Sequence, residues 1–98
     1  MAAILIVDDD TMLAEMLTSY LQRAGHRADS AATLAVGIEM AAGGHYEVIF
    51  LDVQMPDGNG LAALRRFAEV ASRPEIIIMT GSGNPDGAEM AIRSGAWS

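Results

Sequence analysis

The chain has 98 residues, 51% of them hydrophobic and 19% charged, which fits one compact domain and excludes an extended disordered segment. Its formal charge of −7 argues against nonspecific binding to nucleic acid or to anionic membranes. No apolar stretch reaches the ~18 residues of a membrane span and the start lacks the basic residues of a signal peptide, so a cytoplasmic protein is expected. Cysteine is absent and all six basic residues are arginine, which removes disulfides, thiolate chemistry and every lysine-dependent phosphate loop or Schiff base.

Ala3-Ile4-Leu5-Ile6-Val7 is a continuous apolar run that reads as a buried strand, and it closes on Asp8 and Asp9. Asp10 or Thr11 then caps a helix with Leu13, Met16, Leu17, Tyr20 and Leu21 at helical spacing and Gly25 at its end. His26 to Ser30 predicts a strand polar enough for a sheet edge. Thr33 caps a second helix to about Ala42, with Leu34, Ile38 and Ala41 on one face and Gly43-Gly44 as its stop. Gly37 inside that helix costs about 1 kcal/mol relative to Ala. Glu47 to Asp52 is apolar on both faces, as a central strand is, and it too closes on an acid. Met55 to Gly60 is dense in turn residues and leads into a helix from about Leu61 to Ala71. Glu75 to Thr80 repeats the buried-strand pattern and ends on a hydroxyl. Gly81 to Gly83 makes a loop, and Asn84 with Pro85 opens a last helix ending near Ser94-Gly95. The βαβαβαβα alternation predicts one parallel sheet with right-handed crossovers and helices on both faces.

Parallel strands lying side by side would bring Asp8, Asp9 and Asp52 to the carboxyl edge of the sheet, where α/β proteins place their ligand sites. Clustered carboxylates repel one another, and a hard cation such as Mg²⁺ relieves the repulsion. Thr80 joins this set from the end of the fourth strand. Any one of these residues could be a helix cap or turn former, and Asp10 is read that way. Acids after two separate buried strands and a hydroxyl after a third make a functional set the better account.

With those segments in view, the chain resembles the receiver domain of bacterial two-component response regulators. The resemblance rests on Ile4 to Asp10, Val48 to Gly60, Ile77 to Gly81 and Ala91 to Ala96, in the family's order along the whole chain. It implies a doubly wound, flavodoxin/receiver-like α/β fold with strand order 2-1-3-4. Asp52 would be the phosphoacceptor, Asp9 a direct ligand of Mg²⁺, Asp8 a ligand through water, and the Gln54 carbonyl a further ligand. Thr80 would bond the phosphoryl group and move on activation. A partner histidine kinase would supply the phosphoryl group, in a transfer onto the protein itself rather than a turnover reaction, and the expected output is transcriptional regulation through a separate effector domain. Chemically, a carboxylate can attack phosphorus once a shared cation neutralises the phosphoryl oxygens. Receivers continue past the position of Ser98 with a fifth strand, a lysine followed by proline, and a fifth helix. The resemblance therefore describes residues 1–98 as a receiver domain with its fifth strand missing, whose open fourth strand invites homodimers or exchange of strand or helix.

Two other classes compete. A receiver-like interaction module that is never phosphorylated would keep the fold without the chemistry. A phosphohydrolase of the haloacid dehalogenase type also uses a strand-end Asp, yet its Asp-x-Asp-x-Thr or Val pattern is not met by Asp8-Asp9-Asp10-Thr11-Met12, and its lysine is absent. His26 and His45 lack metal-ligand spacing and read as packing or surface residues. Arg65-Arg66 reads as a solvated helix face. Tyr20 and Phe67 read as packing residues, and most of the methionines as core filler or helix-face residues.

Overall fold

A computed structural model describes residues 1–79. Thr80, the Gly81 to Gly83 loop and the last expected helix lie outside the described residues. In chain order the elements are β1 (Ala3–Val7), α1 (Thr11–Arg23), β2 (Arg27–Ala31), α2 (Leu34–Gly43), β3 (Val48–Asp52), β4 (Gln54–Met55), β5 (Gly58–Asn59), α3 (Gly60–Ala68) and β6 (Glu75–Met79).

Four strands form one parallel sheet in the order β2-β1-β3-β6, which is the 2-1-3-4 order that the receiver resemblance implies. Val7 registers with Leu51, and Asp52 with Met79, so the strands finish at one common edge. Period-two alternation divides their side chains between two apolar layers. Leu5, Val7, Ile49, Leu51 and Ile76 pack against Leu34 and Ala41 of α2 and against Ala63, Leu64 and Phe67 of α3. Ile4 and Ile6 point the other way, toward Ala14, Leu17 and Leu21 of α1. Each fully buried Leu, Ile or Phe contributes about 1.5–3 kcal/mol.

The face of α1 differs from the expected one. Tyr20 is 71% exposed and Met16 67% exposed, while the small Ala14 is buried. The helix carries two apolar arcs, and the one containing Ala14 allows a close approach to the strands. Tyr20 is therefore not a packing residue, and Met12 and Met16 are exposed residues of the helix face.

Gly37 is explained by the same demand for closeness on the opposite face. A Cβ there would lie 3.0 Å from Val7 Cγ2 and 3.2 Å from Phe67 Cζ, both on side chains with no exposed surface. α2 thus gives up helix propensity to lie tightly over β1 and α3.

Two boundaries also differ. The Met55 to Gly60 turn proves to be a short antiparallel hairpin of β4 and β5, with Gln54 opposite Asn59, Met55 opposite Gly58, and Pro56-Asp57 at its tip. α3 ends at Ala68 rather than Ala71. The chain turns there, with Arg73 N–H donating to Val70 O at 2.9 Å and Arg73 at a φ of 49°, before the buried Pro74 leads it into β6.

At the edge strand β2, the buried Tyr46 donates its hydroxyl to Asp29 at 2.6 Å, and Arg27 bonds the same carboxylate at 3.3 Å while lying over the Tyr46 ring. His26 is a packing residue whose Nδ1 accepts from Ala2 N–H at 2.9 Å, and His45 is exposed.

Candidate functional site

The buried run of β1 carries the chain to Asp8, which is only 5% exposed. Its backbone N–H continues the sheet by donating to Ala31 O at 3.0 Å, and its carboxylate accepts from Asp10 N–H at 2.9 Å. Asp9 is exposed beside it. Asp10 is a helix cap, as expected, and accepts from Leu13 N–H at 3.1 Å.

β3 delivers Asp52, which is half-buried. One carboxylate oxygen from each of Asp8, Asp9 and Asp52 can be chosen so that all three lie within 4.8 Å of one another. The parallel pairing of β1 with β3 causes this convergence. Burial raises the Asp52 carboxyl above its ordinary pKa, and the neighbouring Asp8 raises it further. Backbone N–H groups of Gln54 and Val53 partly offset the effect, and Asp9 adds to it. The site therefore concentrates negative charge that ordinary solvent does not fully relieve.

These acids open onto a cleft of about 690 Å³ whose other walls include Leu13, Gln54, Pro56 and Met79. No basic residue lines it among the described residues. A hard-oxygen donor set of this density, close to buried backbone, fits a small divalent cation better than an organic cofactor. Gln54 stands on β4 with its side chain exposed, next to the buried Met55. Thr80, the remaining expected site residue, lies outside the described residues.

The hairpin beside the site depends on residues whose sequence reads only as a turn. Gly60 N–H donates to Val53 O at 2.7 Å, which presses the start of α3 against the end of β3. Asn59 caps α3 by accepting from Leu61 N–H at 2.7 Å. Asp57, at the hairpin tip, accepts from Leu34 N–H and Ala35 N–H. Its run Asp57-Gly58-Asn59-Gly60 signalled a turn, but nothing in it pointed to α2.

Taken together, the doubly wound parallel sheet and the acid cluster at its carboxyl edge define the class of protein. The response regulator receiver domain family matches residues 4–98, and the chain belongs to that family. It is 35% identical over 77 residues to the transcriptional regulatory protein BasR of Escherichia coli K12, covering 79% of this chain and 35% of that protein. It is 31% identical over 93 residues to the transcriptional regulatory protein PmrA of Pectobacterium parmentieri, covering 95% of this chain and 42% of that one. The chain thus spans well under half the length of these relatives. In fold it is similar to a Burkholderia pseudomallei response regulator crystallised with a phosphorylated aspartic acid, a calcium ion and citrate. The TM-score is 0.89 at 22% identity, over 97% of this chain and 56% of that one. Among the described residues no helix is long and apolar enough to cross a membrane.

Proposed function

We propose that this domain is a phosphorylation switch in which Asp52 accepts a phosphoryl group from a partner histidine kinase. The convergence of Asp8, Asp9 and Asp52 at the mouth of the cleft carries the reading. Asp52 attacks phosphorus through a carboxylate oxygen. The new O–P bond forms as the P–N bond of the donor phosphohistidine breaks, and the leaving imidazole takes a proton. Asp9 and Asp52 would hold Mg²⁺ directly and Asp8 through water, with the Gln54 carbonyl as a further ligand. The ion, when bound, neutralises the phosphoryl oxygens.

Asp8 is fixed by its bond from Asp10 N–H, so it holds its position without help from a ligand. Thr80 is assigned the hydrogen bond to the phosphoryl group on sequence grounds. The relatives' names support a transcriptional output carried by an effector domain, and the acidic receiver itself makes no nucleic-acid contact in this reading. A cytoplasmic setting goes with it.

The deciding experiment is incubation with acetyl phosphate and Mg²⁺, followed by intact mass. One phosphoryl group per chain is expected on the wild type, background labelling on Asp52→Asn, and about a hundredfold slower labelling on Asp9→Ala. Labelling that survives Asp52→Asn would show another nucleophile. A wild type that takes no label from acetyl phosphate or from a histidine kinase would favour the unphosphorylated interaction module.

A further inference from the structure

The geometry points to Asp57 as a positioning residue that latches the β4–β5 hairpin to the start of α2 and thereby fixes the backbone around Gln54 beside Asp52. This rests on the phosphoacceptor reading and adds to it a residue that contacts none of the reacting groups.

Asp57 Oδ1 accepts from Leu34 N–H at 2.8 Å, and its Oδ2 accepts from Ala35 N–H at 3.0 Å. A helix start needs partners for its first N–H groups, and α2 already has a local one: Thr33 Oγ1 accepts from Val36 N–H at 3.1 Å. Asp57 supplies the other two from a different part of the chain. The same bonds hold its carboxyl below the usual carboxylate range, Leu34 having the larger effect.

The hairpin is applied closely to α2 throughout this contact. Gly58 has a φ of +152°, and a Cβ on it would lie 3.2 Å from Leu34 Cδ1. At its base the hairpin is held by the bond from Gly60 N–H to Val53 O. Base and tip are therefore anchored to different elements, and Gln54 lies between the two anchors. Releasing the tip leaves the backbone around Gln54 held only by its pairing with Asn59 and by the base of the hairpin. Small misplacements of groups around a reacting centre slow reactions by large factors.

Four full-length proteins test the latch: wild type, Asp57→Ala, Asp57→Asn and Thr33→Ala. Hydrogen exchange at the hairpin amides reports its mobility, and the rate of Asp52 labelling by acetyl phosphate at saturating Mg²⁺ reports its effect on the site. Asp57→Ala should speed exchange in the hairpin and slow labelling about tenfold. Asp57→Asn, which keeps one accepting oxygen, should fall between it and wild type. Thr33→Ala, which weakens the same helix start without freeing the hairpin, should change neither readout at the hairpin or Asp52.

Wild-type labelling by Asp57→Ala would overturn the positioning role, as would equal effects from Thr33→Ala, which would reduce Asp57 to a helix cap. A wild type that takes no label would overturn the phosphoacceptor reading instead, and the exchange comparison would still decide the latch.

Discussion

Gly60→Ala lowers stability by about 3 kcal/mol and displaces Asp52, because the added methyl group has no space. A Cβ at this position would run into the backbone carbonyl of Asp52 and come within 3.2 Å of Val53 Cα. These are main-chain atoms of a strand end held in the sheet, so no rotamer change relieves the contact. The usual gain from replacing Gly by Ala in a helix is about 1 kcal/mol, smaller than the clash. Urea unfolding of the two proteins measures the loss, and Mg²⁺ titration shows whether the acid cluster has moved. A Gly60→Ala protein of wild-type stability would mean that α3 can retreat from β3 freely.

Asp52→Asn stabilises the metal-free protein at neutral pH and abolishes most of its response to Mg²⁺. Burial and Asp8 raise the Asp52 carboxyl, so the folded state holds this proton more tightly than the unfolded state does. Stability from this group is present at low pH, falls as pH rises through the raised value, and stays lost above it. The amide keeps the shape and removes the charge, so the variant's advantage grows over that window and vanishes below the ordinary carboxylate range. Asp57, whose carboxyl is lowered, has the opposite pH dependence, but it is common to both proteins and cancels in their difference. A cation binding only the folded state at ten times its Kd adds about 1.4 kcal/mol to the wild type and little to the variant, so Mg²⁺ narrows or reverses the gap between them. Thermal melts across pH, with and without millimolar Mg²⁺, provide the measurement. A gap independent of both pH and Mg²⁺ would mean that the three acids do not interact as described.

β1, β3 and β6 were legible because each is a short apolar run ended by a polar residue, and that pattern alone points Asp8, Asp9 and Asp52 to one edge. Alternation of strands and helices then made the sheet parallel, while its order rested on the resemblance to receiver domains. α1 was legible as a helix, but its inward face was not. Tyr20 and Met16 are larger apolar groups than Ala14, yet packing favours the small residue where helix and sheet meet closely. The β4–β5 hairpin was hidden because two residues per strand are too few to show a period. The bonds from α2 to Asp57 were hidden for another reason: a side chain reaching a backbone N–H in a distant segment leaves no local signal. Gly60 looked like a turn residue, and only the approach of Asp52 O explains why it cannot carry a side chain.

The strand order also has a consequence for rates. Ile4 pairs with Val48, with α1, β2 and α2 lying between them in the chain, so the acids meet only after this long-range pairing forms. Such pairings come at high entropic cost and set the pace of folding. A transition state that has begun this pairing near Ile4 and Val48 but not yet closed its carboxyl end has no cation site, so Mg²⁺ slows unfolding and leaves refolding unchanged. Stopped-flow measurements should show the unfolding limb alone moving with Mg²⁺, and a matching shift of the refolding limb would place the edge among the first parts to close. The lifetime of the folded domain, more than the ease of reaching it, then follows what is bound among its three aspartates.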